Sequence, residues 1–94
     1  MTMFIEVKQA KYQKDYVVLI TFSDGKTKLV DLKDSLSGIM FEPLRDMAYF
    51  RNFKTSFNTL EWPNGADFAP EYLYKIGVLQ YDSPTAAAEG EPQR

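Results

Sequence analysis

The run Tyr16-Val17-Val18-Leu19-Ile20-Thr21-Phe22, broken at once by Ser23-Asp24-Gly25-Lys26, most limits the shapes open to this chain. β-Branched and aromatic side chains suit a pleated surface. Their nearly unbroken succession predicts a central strand, covered on both faces or on one face with a helix nearby. Asp-Gly supplies a tight reversal, because glycine takes positive φ without a Cβ clash and aspartate tolerates it. Lys28 to Leu32 returns with Leu29 and Val30 at its centre, so residues 16–32 are predicted to form an antiparallel hairpin.

The flanking segments give weaker patterns. Met3 to Ala10 predicts a first strand, with Ile5 and Val7 on one face and Phe4, Glu6 and Lys8 on the other; polar Lys11 to Asp15 reads as a turn. Asp34 to Gly38 reads as a single helical turn or loop. Pro43 suits a first helical position, and Asp46 suits an N-cap restarting a short helix. Phe53, Thr55 and Phe57, then Leu60 and Trp62, alternate with polar residues and predict a second hairpin turning at Phe57-Asn58-Thr59. Pro63-Asn64-Gly65 is a turn. Asp67 to Gly77 predicts the one convincing helix, with Pro70 in its first turn, Leu73 and Ile76 on its apolar face and Gly77 as C-cap. The expected fold is small α+β: an antiparallel sheet of two hairpins plus an N-terminal strand, short helical pieces in the middle and one C-terminal helix. From Asp82 on there is no aromatic or large aliphatic residue, so residues 2–81 are read as one domain and 82–94 as a disordered tail.

Composition narrows the chemistry. The chain has no cysteine and no histidine. Disulfides, thiolate nucleophiles, zinc–thiolate and iron–sulfur sites are thereby excluded, as are triads that need an imidazole to accept the nucleophile's proton. Carboxylates are left as the acid–base pair of any enzyme, and no spacing sets two of them across a cleft. An enzyme is not expected, nor a cofactor. No apolar run approaches a membrane span and no signal peptide opens the chain, so a cytoplasmic location is expected. Net charge is −2 and unevenly spread: residues 1–33 carry six lysines against four acids, residues 34–94 five bases against nine acids. That field is too weak for a typical nucleic-acid binder.

Thr21-Phe22-Ser23-Asp24-Gly25, Val30-Asp31-Leu32, Phe41-Glu42-Pro43-Leu44-Arg45-Asp46 with Phe50, Glu61-Trp62-Pro63-Asn64-Gly65-Ala66-Asp67 and Pro70-Glu71 with Leu73-Tyr74, in this order, resemble the bacterial domain-of-unknown-function family numbered 2442. The Trp-Pro-Asn-Gly-Ala-Asp run is the most specific piece. The resemblance implies a small α+β fold with no assigned activity. It also implies relatives that carry a helix-turn-helix after the domain, and genes lying beside another short family in a toxin–antitoxin-like arrangement. The residues after Tyr81 are too few for a three-helix DNA-binding unit, so the DNA role of the fused relatives is not expected here.

Glu61 to Asp67 is the candidate interaction loop. In a recognition role Trp62 is its anchor, Glu61, Asn64 and Asp67 supply hydrogen bonds, and Gly65 shapes the turn. Two carboxylates are too few to define a cation site. In the simpler structural role, which the residues favour, Trp62 packs in the core, Pro63 to Gly65 turns the chain and Asp67 caps the following helix. Lys26 and Lys28 beside the Asp24-Gly25 turn are read chiefly as solvated charges, and the tyrosines chiefly as core edge. The expected function is a protein-interaction or regulatory module, the neutralising partner in a two-gene pair, bound to a neighbouring gene's product through an exposed strand edge and the Glu61–Asp67 loop. The alternatives are a DNA-associated regulator working through Lys26 and Lys28, and a self-associating domain.

Overall fold

The computed structural model describes residues 4–56 and 58–82. Four strands, β1 (Val7–Lys14), β2 (Val17–Phe22), β3 (Lys26–Asp31) and β6 (Val78–Asp82), form one antiparallel sheet in the order β1-β2-β3-β6. A separate two-stranded sheet pairs β4 (Lys54–Ser56) with β5 (Thr59–Glu61). Between them lie 3-10 turns at Lys33–Ser35 and Glu42–Arg45 and the short helix α1 (Met47–Phe50); α2 (Pro70–Ile76) precedes β6. The fold is α+β, as expected, and the 16–32 hairpin is present.

Along β2, Val18, Ile20 and Phe22 are buried while Val17, Leu19 and Thr21 are half-buried. The near-continuous apolar run therefore serves a strand covered on one face, as period-2 geometry requires. That face meets Val7, Val30, Leu73 and the buried ring of Phe50, which Tyr12 and Tyr16 approach edge-on at 6.3 and 5.2 Å. Edge-to-face contact directs the positive ring edge onto a negative face, so the aromatic share does core work here.

Several expectations need correction. β1 does not end at Ala10: Lys11 pairs with Leu19, Tyr12 with Val18 and Lys14 with Val17, with register irregularities at both ends. Polar residues hid this stretch because β1 is an edge strand, and edges carry lysines for solubility. The turn shrinks to Asp15-Tyr16, with Asp15 at φ 45°, and the Tyr16 hydroxyl donates to the Arg45 carbonyl. The second hairpin does turn at Asn58 (φ 67°), but it forms a sheet of its own. It is tied to β1 where the Val7 amide donates to the Asn58 carbonyl at 2.9 Å; Phe57 lies outside the described residues.

α2 is shorter than predicted, and Ala69, not Asp67, is its N-cap, with no side-chain cap bond. Asp46 does cap α1, accepting from the Ala48 amide at 3.0 Å. Gly77 ends α2 with an ordinary φ of −71°. It is needed for space: a Cβ there would stand 2.8 Å from Cβ of Lys28. The polypeptide then pairs again as β6, Val78 with Leu29 and Lys28 with Leu79. Asp82, read as the start of a tail, is the last residue of that strand, and residues 83–94 lie outside the described ones.

Candidate functional site

Trp62 sets the geometry of the candidate loop. It is buried to 1% exposure, its ring 5.6 Å from Phe50 and 5.8 Å from Phe68, and its indole N–H donates to the Phe50 carbonyl at 2.7 Å. An indole so enclosed offers nothing to a partner; it fastens the base of the loop to the core. The turn closes above it. The Gly65 amide donates to the Trp62 carbonyl at 2.9 Å, and the Trp62 amide to the Ala66 carbonyl at 2.9 Å. Gly65 takes φ 89°, and Asn64 Oδ1 accepts from the Ala66 amide at 3.0 Å. This is the side-chain-to-backbone closure that makes asparagine a turn residue.

Glu61 and Asp67 are bridged through their backbones across the turn, and α2 begins only at Pro70, two residues beyond the reach of an Asp67 N-cap position. Asp67 is exposed and Glu61 half-exposed. Among the described residues no group of three or more carboxylates gathers as metal ligands would.

The amide nitrogen of Asn64 reaches outward and donates to the Met40 carbonyl at 3.0 Å, while the Met40 methyl lies 3.9 Å from the place a Cβ on Gly65 would take. This second loop escaped sequence reading. It begins at Gly38 (φ 94°), whose carbonyl accepts from the Phe41 and Glu42 amides at 3.1 and 2.9 Å. It lifts Ile39 (88% exposed) and Met40 (46%) into solvent. Behind them the Phe41 ring stacks on Phe68 at 4.6 Å, and Phe68 on Tyr72 at 5.7 Å. Tyr72 is itself exposed, with its hydroxyl 2.6 Å from Ser35 Oγ. The result is an apolar surface on a cross-braced base. The signal that could have found it is the Ile-Met pair directly after glycine, outside any periodic segment.

The other charged turn is occupied internally. Asp24 Oδ1 accepts from the Lys26 amide at 3.0 Å, its other oxygen takes the Tyr74 hydroxyl at 2.6 Å, and Lys26 Nζ stands at 3.6 Å. Burial pushes the Asp24 carboxyl up, but those two hydrogen bonds and the lysine charge outweigh it and hold it below the ordinary carboxylate value. Lys28 Nζ lies 3.6 Å over the Tyr74 ring and donates to the Tyr74 carbonyl at 2.8 Å. Lys28 thus joins Asp24 in fastening the hairpin to α2, while Lys26 pairs with Asp24 inside the turn. An open depression of about 430 Å³ beside Met47 is lined by Lys14, Lys33, Asp15 and Asp31, so opposite charges there offset each other.

No helix among the described residues is long and apolar enough to cross a membrane. No curated protein and no solved structure matches the chain. The Asp24-Gly25 hairpin, the Ile39–Met40 loop and the Trp-Pro-Asn-Gly-Ala-Asp turn all fall within residues 7–78, which match the family model described as "Protein of unknown function (DUF2442)", and the chain belongs to that family.

Proposed function

We propose that this domain is a protein-interaction or regulatory module of the cytoplasm, acting by shape and surface rather than by turnover, and that it is the neutralising partner in a two-gene pair. The observation that carries this reading is the exposure of Ile39 and Met40 on a loop pinned by Asn64. A large apolar side chain held out in water by a braced backbone is a common feature of contact sites, because burying it on a partner removes apolar area at little ordering cost. Co-expression with the product of the adjacent gene tests it. A stoichiometric complex is expected with the native chain and none with Ile39→Asp, whose circular dichroism should be unchanged. Failure of the native pair to co-purify overturns the reading.

Self-association is a second reading, supported by β6, the outer strand of the sheet among the described residues, where Val78 is 65% and Leu79 49% exposed. The opposite edge, β1, carries Lys8, Lys11 and Lys14, residues that discourage edge pairing. Light scattering across a dilution series checks it: a constant monomer mass removes this reading.

A further inference from the structure

The apolar loop is set among carboxylates. Glu42 follows it in the chain, Glu61 and Asp67 flank the turn that holds it, and Glu71 precedes Tyr72 on α2. Glu42, Asp67 and Glu71 are exposed and Glu61 is half-exposed, and among the described residues none of the four has a lysine or arginine nitrogen within 4.0 Å. Arg45 donates from Nε to the Leu36 carbonyl at 2.9 Å, and Lys75 follows Glu71 by four positions on α2 without standing within 4.0 Å of it. The exposed apolar pair thus has near it, in the chain and across the turn that holds it, four carboxylates that make no close ion pair among the described residues.

Resting on the interaction-module reading, we infer that this surface takes a basic protein segment, an apolar side chain seated against Ile39 and Met40 and flanked by lysine or arginine. The charges select the partner's class. Phosphate backbones and anionic headgroups are repelled by the same four carboxylates, and a purely apolar partner leaves them unused. A partner with basic flanks gains long-range steering to the site and opposite charges around the contact, while the apolar insert supplies the burial.

Two synthetic peptides of about fifteen residues, long enough for a marginal amphipathic helix, are the probes: one of leucine and lysine, the other of leucine and glutamate. On titration into the ¹⁵N-labelled chain, the leucine–lysine peptide should saturate shifts of the Ile39, Met40, Asn64 and Gly65 amides, and the leucine–glutamate peptide should not. Glu42→Gln, Glu61→Gln, Asp67→Asn and Glu71→Gln together should weaken binding about tenfold, and raised salt should weaken it similarly. Absence of saturable shifts, equal response to the glutamate peptide or to duplex DNA, or concentration-dependent shifts of these amides without peptide (a second copy seated there) overturns the inference. Failure of the module reading stays separate. If the adjacent gene's product binds through Ile39 but ignores the four charge removals, the module stands and the basic partner falls.

Discussion

Two turns in this protein share a backbone solution and differ in everything attached to it. At Asp24-Gly25 and at Asn64-Gly65 an Asx Oδ1 accepts from the amide two residues on, at 3.0 Å in both, and the glycine takes φ 91° or 89°. Each glycine amide donates back to a buried aromatic residue, Phe22 or Trp62. Beyond that the side chains diverge. Aspartate sends its second oxygen inward to the Tyr74 hydroxyl and Lys26, fastening the hairpin to α2. Asparagine sends its nitrogen outward to the Met40 carbonyl and fastens a loop whose apolar side chains remain in water. Local chemistry makes the turn; the second hydrogen-bonding atom decides whether the turn holds the fold or displays a surface.

Substitutions ranked by expected effect test this contrast. Trp62→Ala should be worst, at about 3–5 kcal/mol by urea denaturation followed by circular dichroism, because it opens a cavity beneath the displaying turn and orphans the Phe50 carbonyl. A loss below ~1 kcal/mol would mean that the turn does not depend on its aromatic base. Gly25→Ala and Gly65→Ala should each lower stability by about 1–2 kcal/mol, and by similar amounts, since the same left-handed conformation is required at both. Clearly unequal losses would break the equivalence of the two backbones.

Tyr74→Phe should remove about 1 kcal/mol at neutral pH. It should also flatten the acid limb of the stability profile. The native Asp24 carboxyl is held low, so its contribution is fully present above the ordinary carboxylate pKa, about 3.9, and is lost as pH falls through the folded value. Urea midpoints between neutral and strongly acidic pH, compared with those of Asp24→Asn, measure this; parallel profiles for all three chains would remove Asp24 from the clamp. Ile39→Ser should change stability by less than about 0.5 kcal/mol while abolishing partner capture, as suits a residue of the displaying turn's loop. A loss comparable to that of Trp62→Ala would turn Ile39 into a structural residue.

Half of the displaying surface was legible in the residues. Pro63-Asn64-Gly65 announces a turn by composition, and the carboxylates beside it are plain. The residues favour core over anchor for Trp62, and its enclosure by Phe50, Phe53 and Phe68 places it there. Ile39 and Met40 carry no period, so nothing local distinguishes them from residues of a buried loop. Their exposure follows from the hydrogen bond of a side chain 24 positions away.

What the sequence determined by itself is the set of features whose energy is local: the 16–32 hairpin, the Asp46 cap, the left-handed Asn58 and the two Asx-Gly turns. Each needs only a few neighbouring torsions and one short-range hydrogen bond. The tertiary structure decided the features set by a pairing partner. Lys11 to Lys14 becomes strand because β2 offers an edge, Val78 to Asp82 becomes strand because β3 offers the other, and Asp67 bridges Glu61 while Ala69 takes the N-cap position of α2. The pairing energy comes from a partner segment, adjacent in the chain for Lys11 to Lys14 and for Asp67 and remote only for Val78 to Asp82, so propensity at the position itself carries little trace of it.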